Sequence, residues 1–289
     1  MMDVLVRFLN AGLMIAMPLG LGIFLARKLR PGWRPFYVGV AAFLGSQVLH
    51  IPFNAWVLTP LLERLGIVQP WHGAALLGAA AALGLSAGVF EEGARYLVLE
   101  RWLKDARTWS QAMMFGAGHG GAEAISLGLV ALVALFQAIA YRNADLSKLV
   151  SPDQLRAAQA QLSAYWAAPA SLIMLGSVER AIALCVQVTL AVIVLQAVVR
   201  RNLAWLAMAI GWHALVDASA VAVIDAWGPY WTEAMLGVLA AISLIVLFRL
   251  RGPEPPHDSQ ATEPAGELDI SRPPAPPRIE AIDDSRFTD

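Results

Sequence analysis

Long apolar runs, broken at near-regular intervals by short polar clusters, fill the first 250 or so residues of the chain. Seven of them reach the roughly 20 residues a helix needs to cross a bilayer, at about 4–26, 36–59, 71–100, 110–141, 167–199, 203–224 and 231–248. Each is predicted to be α-helical, because inside hydrocarbon the backbone must satisfy its own polar groups within the segment. The first run has Arg7 near its start, lacks a small-residue cleavage site and exceeds a signal-peptide core, so it reads as a true span. Residues 143–165 depart from the pattern. There SPDQLRAAQAQLSAYW predicts a short surface-lying helix, with Ser151 as cap, Pro152 in the first turn, and Leu155 and Leu162 on one face. The expected organisation is an all-α polytopic core over 1–251 and a tail over 252–289. That tail holds eight of the 17 prolines and few large apolar residues, and is expected to be disordered in the cytoplasm.

Composition sharpens this picture. Hydrophobic residues make up 58% of the 289 and charged residues 15%, well under the roughly 25% charged of a soluble domain, which argues against an ordinary soluble enzyme. The net charge of −1 conceals a division. From Gly252 onward nine acidic residues face three basic ones, leaving 18 Lys and Arg against 13 Asp and Glu in the body. The body's basic residues sit in short clusters between spans and form no continuous stripe, so no nucleic-acid partner is expected. Cys185, the single cysteine, lies within an apolar run and reads as a core residue, excluding a disulfide framework. Alternate connections differ in charge. One set holds Arg27, Lys28, Arg30, Arg34, Arg101, Lys104, Arg107, Arg200, Arg201, Arg249 and Arg251; the other holds Arg64, Arg142, Lys148 and Arg156, with Arg7 beside it. Eleven against five predicts the N-terminus outside and the C-terminus in the cytoplasm, most simply in a bacterial inner membrane.

Ionisable side chains inside spans cost roughly 2.5–3.5 kcal/mol each on the insertion scale, and default to functional candidates. Here they are His50, Glu91, Glu92, Arg95, His119, Glu123, Glu179, Arg180, His213 and Asp217. His50 with Asn54, Glu91 with Arg95, His119 with Glu123, and His213 with Asp217 are spaced i, i+4, so each pair projects from one helix face. Counted from the basic end of each span, Glu91, His119 and His213 lie roughly nine to ten residues in, or about 13–15 Å, and could share one plane. Structural readings stand beside these: α-helix exit from the membrane at Glu91, a packing role for His119, mutual neutralisation of Glu179 and Arg180, and backbone satisfaction by His50 next to Pro52. Gly116, Gly118, Gly120 and Gly121 read first as close-approach positions between helices. Two carboxylates and two histidines at one depth suit hydrolysis, which needs a group to activate water and others to stabilise an oxyanion. A zinc centre would take His119, His213 and a carboxylate such as Glu123, with a fourth position for water. No HExxH motif is present, so a zincin-type site is excluded.

The motifs EEGAR at Glu91–Arg95, FGAGHGGAE at Phe115–Glu123 and HALVD at His213–Asp217, with SQVLHIPFN at Ser46–Asn54, resemble the YhfC family of intramembrane peptidases. That family falls in the wider group of CAAX-processing, bacteriocin-processing and PrsW-like proteases, and the resemblance covers most of residues 1–250. It implies Glu91 as the water-activating base with Glu92 as its neighbour, His119 holding or polarising the water, and His213 contacting the oxyanion or a metal. Two departures matter. EEGAR has two residues before its arginine where CAAX-type enzymes have three, and Asp217 stands where they often have Asn. An ionised Asp cannot donate to an oxyanion, so Asp217 is expected to orient His213. The glutamate and metal mechanisms both remain open at this stage.

The expectation is therefore a membrane peptidase cleaving a peptide or transmembrane-helix substrate, with Glu91, Glu92, His119 and His213 at the centre and Arg95, Glu123, Asp217, His50 and Asn54 in support. A transporter or channel-like protein using the same residues as a proton relay is one alternative. A non-catalytic scaffold binding a helix or a membrane lipid in the polar cavity is the other.

Overall fold

The computed structural model describes residues 2–252, and the expected tail from 253 onward lies outside them. Among the described residues the secondary structure is helical, with no strand. The helices are α1 (Met2–Lys28), α2 (Arg34–Phe53), α3 (Thr59–Arg64), α4 (Gly73–Arg101), α5 (Trp109–Tyr141), α6 (Pro152–Ala167), α7 (Ala170–Val199), α8 (Ala204–Trp227) and α9 (Pro229–Arg249). A π-helical turn, Asn54–Leu58, joins α2 to α3 without a break, so Arg34–Arg64 forms one span. Seven spans result, each long and apolar enough to cross a membrane, and they fall where the apolar runs predict. Large apolar side chains such as Phe8, Val48, Trp56, Val130, Phe136 and Ile245 stay exposed on the outside, the surface a lipid-embedded bundle presents.

Boundaries follow local chemistry. Thr108 caps α5 in a full capping box, its side chain accepting from the Gln111 N–H while the Gln111 side chain accepts from the Thr108 N–H. Gly228, at φ +81°, makes the tight turn between α8 and α9, and Pro229 starts the next helix. Helix α6 begins at Pro152 with Ser151 at the cap position, although the serine side chain makes no capping hydrogen bond. Its Leu155 and Leu162 are half-buried, as their spacing predicts. In the loop before it, the Ser147 hydroxyl and backbone N–H both donate to Asp145, holding that carboxyl below the usual carboxylate range.

Helix α7 is central: 72% of its most apolar stretch is buried, against 17–33% in the other six spans. Around it pack α5 and α9, while α5 also lies along α1 and α2, and α4 lies along α8. Small residues make these approaches possible. A Cβ at Gly118 of α5 would lie 2.0 Å from the Phe36 carbonyl oxygen of α2, and one at Gly39 of α2 would lie 2.1 Å from the Phe115 carbonyl oxygen. The two backbones therefore touch, as the glycine run of α5 predicts.

The connections sort onto two faces. On one, Arg34 pairs with Asp105, the Trp109 indole donates to the Leu247 carbonyl at 3.0 Å, and Arg251 stacks over Trp109. On the other, Arg7 donates to the Tyr165 carbonyl and lies over its ring, Arg142 lies over Trp166, and Ser171 meets Tyr230 at 2.8 Å. The eleven basic residues thus gather on one face of the bundle and the smaller set on the other.

Candidate active site

Helix α4 runs unbroken to Arg101 and buries Glu91, Glu92 and Arg95, so the chain does not leave the apolar layer at the paired glutamates. Glu91 and Glu92 are adjacent, hence about 100° apart around the helix, and meet different partners. The Glu91 Oε2 lies 3.2 Å from His119 Nε2 of α5. The Glu92 Oε1 lies 2.7 Å from His213 Nδ1 of α8, and its Oε2 accepts from Arg95 Nη1 at 3.2 Å. Three helices therefore meet in two carboxylate–histidine pairs, Glu91–His119 and Glu92–His213. Glu92, Arg95 and His119 have no solvent exposure at all.

The pairs divide into an inner and an outer member. A cavity of about 130 Å³ is lined by Glu91, His213, Asp217, Gln187, Glu123 and Arg180 among others. His119 and Glu92 stand behind it, each holding the residue in front. Asp217 Oδ2 is 3.5 Å from His213 Nε2, so a carboxylate faces each nitrogen of that ring. Only the protonated ring donates from both nitrogens at once. The Asp217 side chain is 44% exposed, unlike Glu92 at 0%, and so has room to move when another acceptor arrives.

Several pairings differ from those the i, i+4 spacings suggest. Arg95 approaches Glu92 at 3.2 Å and Glu91 only at 4.0 Å. His119 faces Glu91, and does not pair with Glu123 one turn along its own helix. Glu123 instead accepts from Arg180 Nη1 at 2.5 Å and from Gln187 Nε2 at 2.8 Å. Arg180 meets the adjacent Glu179, the mutual neutralisation that the sequence predicts, and pairs with Glu123 of α5 as well. His50 and Asn54 do meet, Asn54 Nδ2 lying 2.9 Å from His50 Nε2, and Asn54 Oδ1 accepts from Ser86 of α4 at 2.7 Å. The His50 ring stacks on Phe90 of α4, the residue before Glu91.

Two glutamines join the centre without having been foreseen. Gln187 of α7 accepts from Arg95 through its side-chain oxygen and its backbone carbonyl, and donates to Glu123. Gln47 of α2 donates to Glu91 Oε1 at 3.0 Å. Each carries a signal in sequence: Gln187 interrupts the apolar run AIALCVQVTLAVIVL, and Gln47 lies three residues before His50 on the same helix face.

A metal set of His119, His213 and Glu123 is not assembled by these positions. Among the described residues no three His, Cys, Asp or Glu side chains converge as ligands. Both Glu123 oxygens are engaged by Arg180 and Gln187, and each histidine is turned to its own carboxylate. The Arg95 guanidinium sits between the two glutamates, where it supplies the positive charge a cation would bring. The donor set as arranged does not fit a metal ion.

The comparisons with known proteins agree with the motifs. Over 221 residues the chain is 32% identical to the "Uncharacterized membrane protein YhfC" of Bacillus subtilis (strain 168), a match covering 74% of this chain and 82% of that protein. No solved structure matches it. Residues 13–237 match the family described as YhfC intramembrane metalloprotease, and the chain, a helical membrane protein with seven spans among its described residues, belongs to that YhfC family.

Proposed function

We propose that the protein is an intramembrane peptidase of the glutamate type, acting in a bacterial inner membrane on a peptide bond at the depth of Glu91. The observation that carries this reading is the pair of carboxylate–histidine contacts, Glu91–His119 and Glu92–His213, with Glu91 and His213 lining one cavity. The family's description supports peptide hydrolysis generally.

In this mechanism Glu91 takes a proton from a water in the cavity as the water oxygen attacks the scissile carbonyl carbon. His119 holds the Glu91 carboxylate through Oε2 and keeps it aimed. As the carbonyl oxygen gains charge, His213 donates its Nε2–H to it, displacing Asp217. The Nδ1–H of His213 stays on Glu92, which Arg95 neutralises, so the imidazolium is fixed in place and needs no reorganisation during the step. Protonated Glu91 then gives its proton to the departing nitrogen. The C–N bond breaks, leaving a carboxylic acid, which keeps the second proton of the water, and an amine, and Glu91 returns to its ionised form.

The test uses purified protein in detergent with labelled casein, and proteoliposomes carrying a quenched single-span peptide. Glu91→Gln and His119→Ala each lower cleavage by at least about a hundredfold while the protein stays folded. A chelator leaves the parental rate unchanged, since no step passes through a metal. Parental rates in both variants overturn the assignment, and loss on chelation that zinc restores overturns the glutamate mechanism in favour of a metal one.

A proton relay is the second reading, favoured by the continuous polar contacts Glu179–Arg180–Glu123–Gln187–Arg95–Glu92–His213. Two links in that series are guanidiniums, which do not give up a proton in proteins, so the series holds charge in place and conducts poorly.

A further inference from the structure

The two oxygens of Glu91, an acid that lines the cavity, are approached from different helices. His119 of α5 lies at Oε2, and Gln47 of α2 donates to Oε1 at 3.0 Å. The terminal torsion of a glutamate is broad and roughly two-fold, so a single contact at Oε2 leaves the carboxyl plane free to swing. A second donor at Oε1 removes that freedom. A carboxylate has about four acceptor directions, so two remain for water after both contacts are made.

Helix α2 is braced to deliver this contact. On the Gln47 face, His50 and Asn54 follow at three and seven residues, and Asn54 accepts from Ser86 of α4 at 2.7 Å. The His50 ring lies on Phe90, 5.4 Å between centroids. At the other end of α2, Gly39 meets the α5 backbone beside Phe115, one turn before His119. The helix bearing Gln47 is thus locked to both helices that carry the Glu91–His119 pair. A π-helical turn, a feature found frequently at functional sites, follows Phe53.

We propose that Gln47 is a positioning residue for the general base: it fixes the Glu91 carboxyl plane so that its free lone pairs face the attacking water. This rests on the peptidase reading above. Gln47 acts through Glu91 and makes no contact with substrate, so its loss lowers turnover without weakening substrate binding.

Gln47→Met keeps the length of the side chain and removes the donor; Gln47→Glu keeps its shape and serves if the first variant fails to fold. With labelled casein and the quenched single-span peptide, each lowers kcat about tenfold with KM unchanged, the split expected for a group that positions the base. Val48→Ala, at an outward-facing neighbour, leaves both constants unchanged. Infrared difference spectra supply a reading that needs no substrate: the carboxylate bands absent from Glu91→Gln protein belong to Glu91, and they shift in Gln47→Met. Parental kcat in the Gln47 variants, or Glu91 bands unmoved by Gln47→Met, overturns the inference while leaving Glu91 as base. Cleavage at the parental rate by Glu91→Gln overturns the peptidase reading itself.

Discussion

Arg95 is a full charge with no exposure, tolerated because Glu92, Gln187 and the Gln187 backbone surround it. Removing one member of a buried pair typically costs about 3–5 kcal/mol, because the other is left uncompensated. Arg95→Met is therefore expected to destabilise the bundle by about that amount in denaturant unfolding in detergent. Adding Glu92→Gln to Arg95→Met recovers part of the loss and not all of it, since the carboxylate that Arg95 faced is then gone but so is the carboxylate partner of His213 Nδ1. No recovery in the double variant would mean that Arg95 acts through packing and not through charge. At this scale the sequence discloses the charged residues but not all their partners. Their burial in apolar runs marks Glu91, Glu92, His119 and His213, because an unsolvated charge needs a reason to be there. The spacing rule considers one helix at a time: it finds His50 with Asn54 and His213 with Asp217, and misses the contacts that run between helices, Glu91 with His119, Glu92 with His213 and Glu123 with Arg180. Gln47 and Gln187 escape notice for a related reason: a neutral amide carries no charge to flag it, and only its partners show what it does.

Between elements, the decisive contacts are backbone against backbone. Gly118 and Gly39 bring α5 and α2 together where His119 and Gln47 project to Glu91. Gly118→Ala places a Cβ 2.0 Å from the Phe36 carbonyl oxygen, a collision with backbone that only a helix shift relieves. Overpacking of this kind costs about 1–3 kcal/mol, and the shift pulls His119 from Glu91. Gly118→Ala is expected to lower both the unfolding midpoint and the cleavage rate. Gly93→Ala on α4, where nothing lies within 4 Å, gains helix propensity worth up to about 1 kcal/mol and leaves the fold intact. Equal stability in the two variants would show that the α2–α5 approach is less tight than the backbone distances require. The spans themselves are legible in the sequence to within a few residues, because charged clusters end them. The π-helical turn at Asn54–Leu58 is not, since a shift of hydrogen-bond register leaves only Pro52 as a trace.

Over the whole molecule, sidedness separates into two questions. The bundle answers the first: Arg34 with Asp105, and Trp109 with Leu247 and Arg251, mark one end, while Arg7 with Tyr165 and Arg142 with Trp166 mark the other. With three spans, α7, α8 and α9, between Asp153 and Arg251, a reporter inserted near the first and one fused after the second must lie on opposite sides of the membrane. Which side is which depends on the eleven basic residues gathered at the Arg34 end against five at the other. Such residues are retained on the cytoplasmic side, so the Arg251 fusion is expected inside and the Asp153 insertion outside. The site depth follows from the same frame: His119 stands about ten residues into α5, roughly 15 Å from the basic end and so near the middle of a hydrocarbon layer of about 30 Å. Cysteine labelling from either side of sealed vesicles checks all of this. Both positions labelling from one side would break the seven-span bundle and the common depth of the two carboxylate–histidine pairs. Opposite sides with the polarity reversed would leave the bundle standing and overturn only the charge argument. On the proposed peptidase reading, the attacking water has about half the hydrocarbon thickness to cross from either face, and the cavity that Glu91 lines is lined also by the polar side chains Glu123, Arg180 and Gln187.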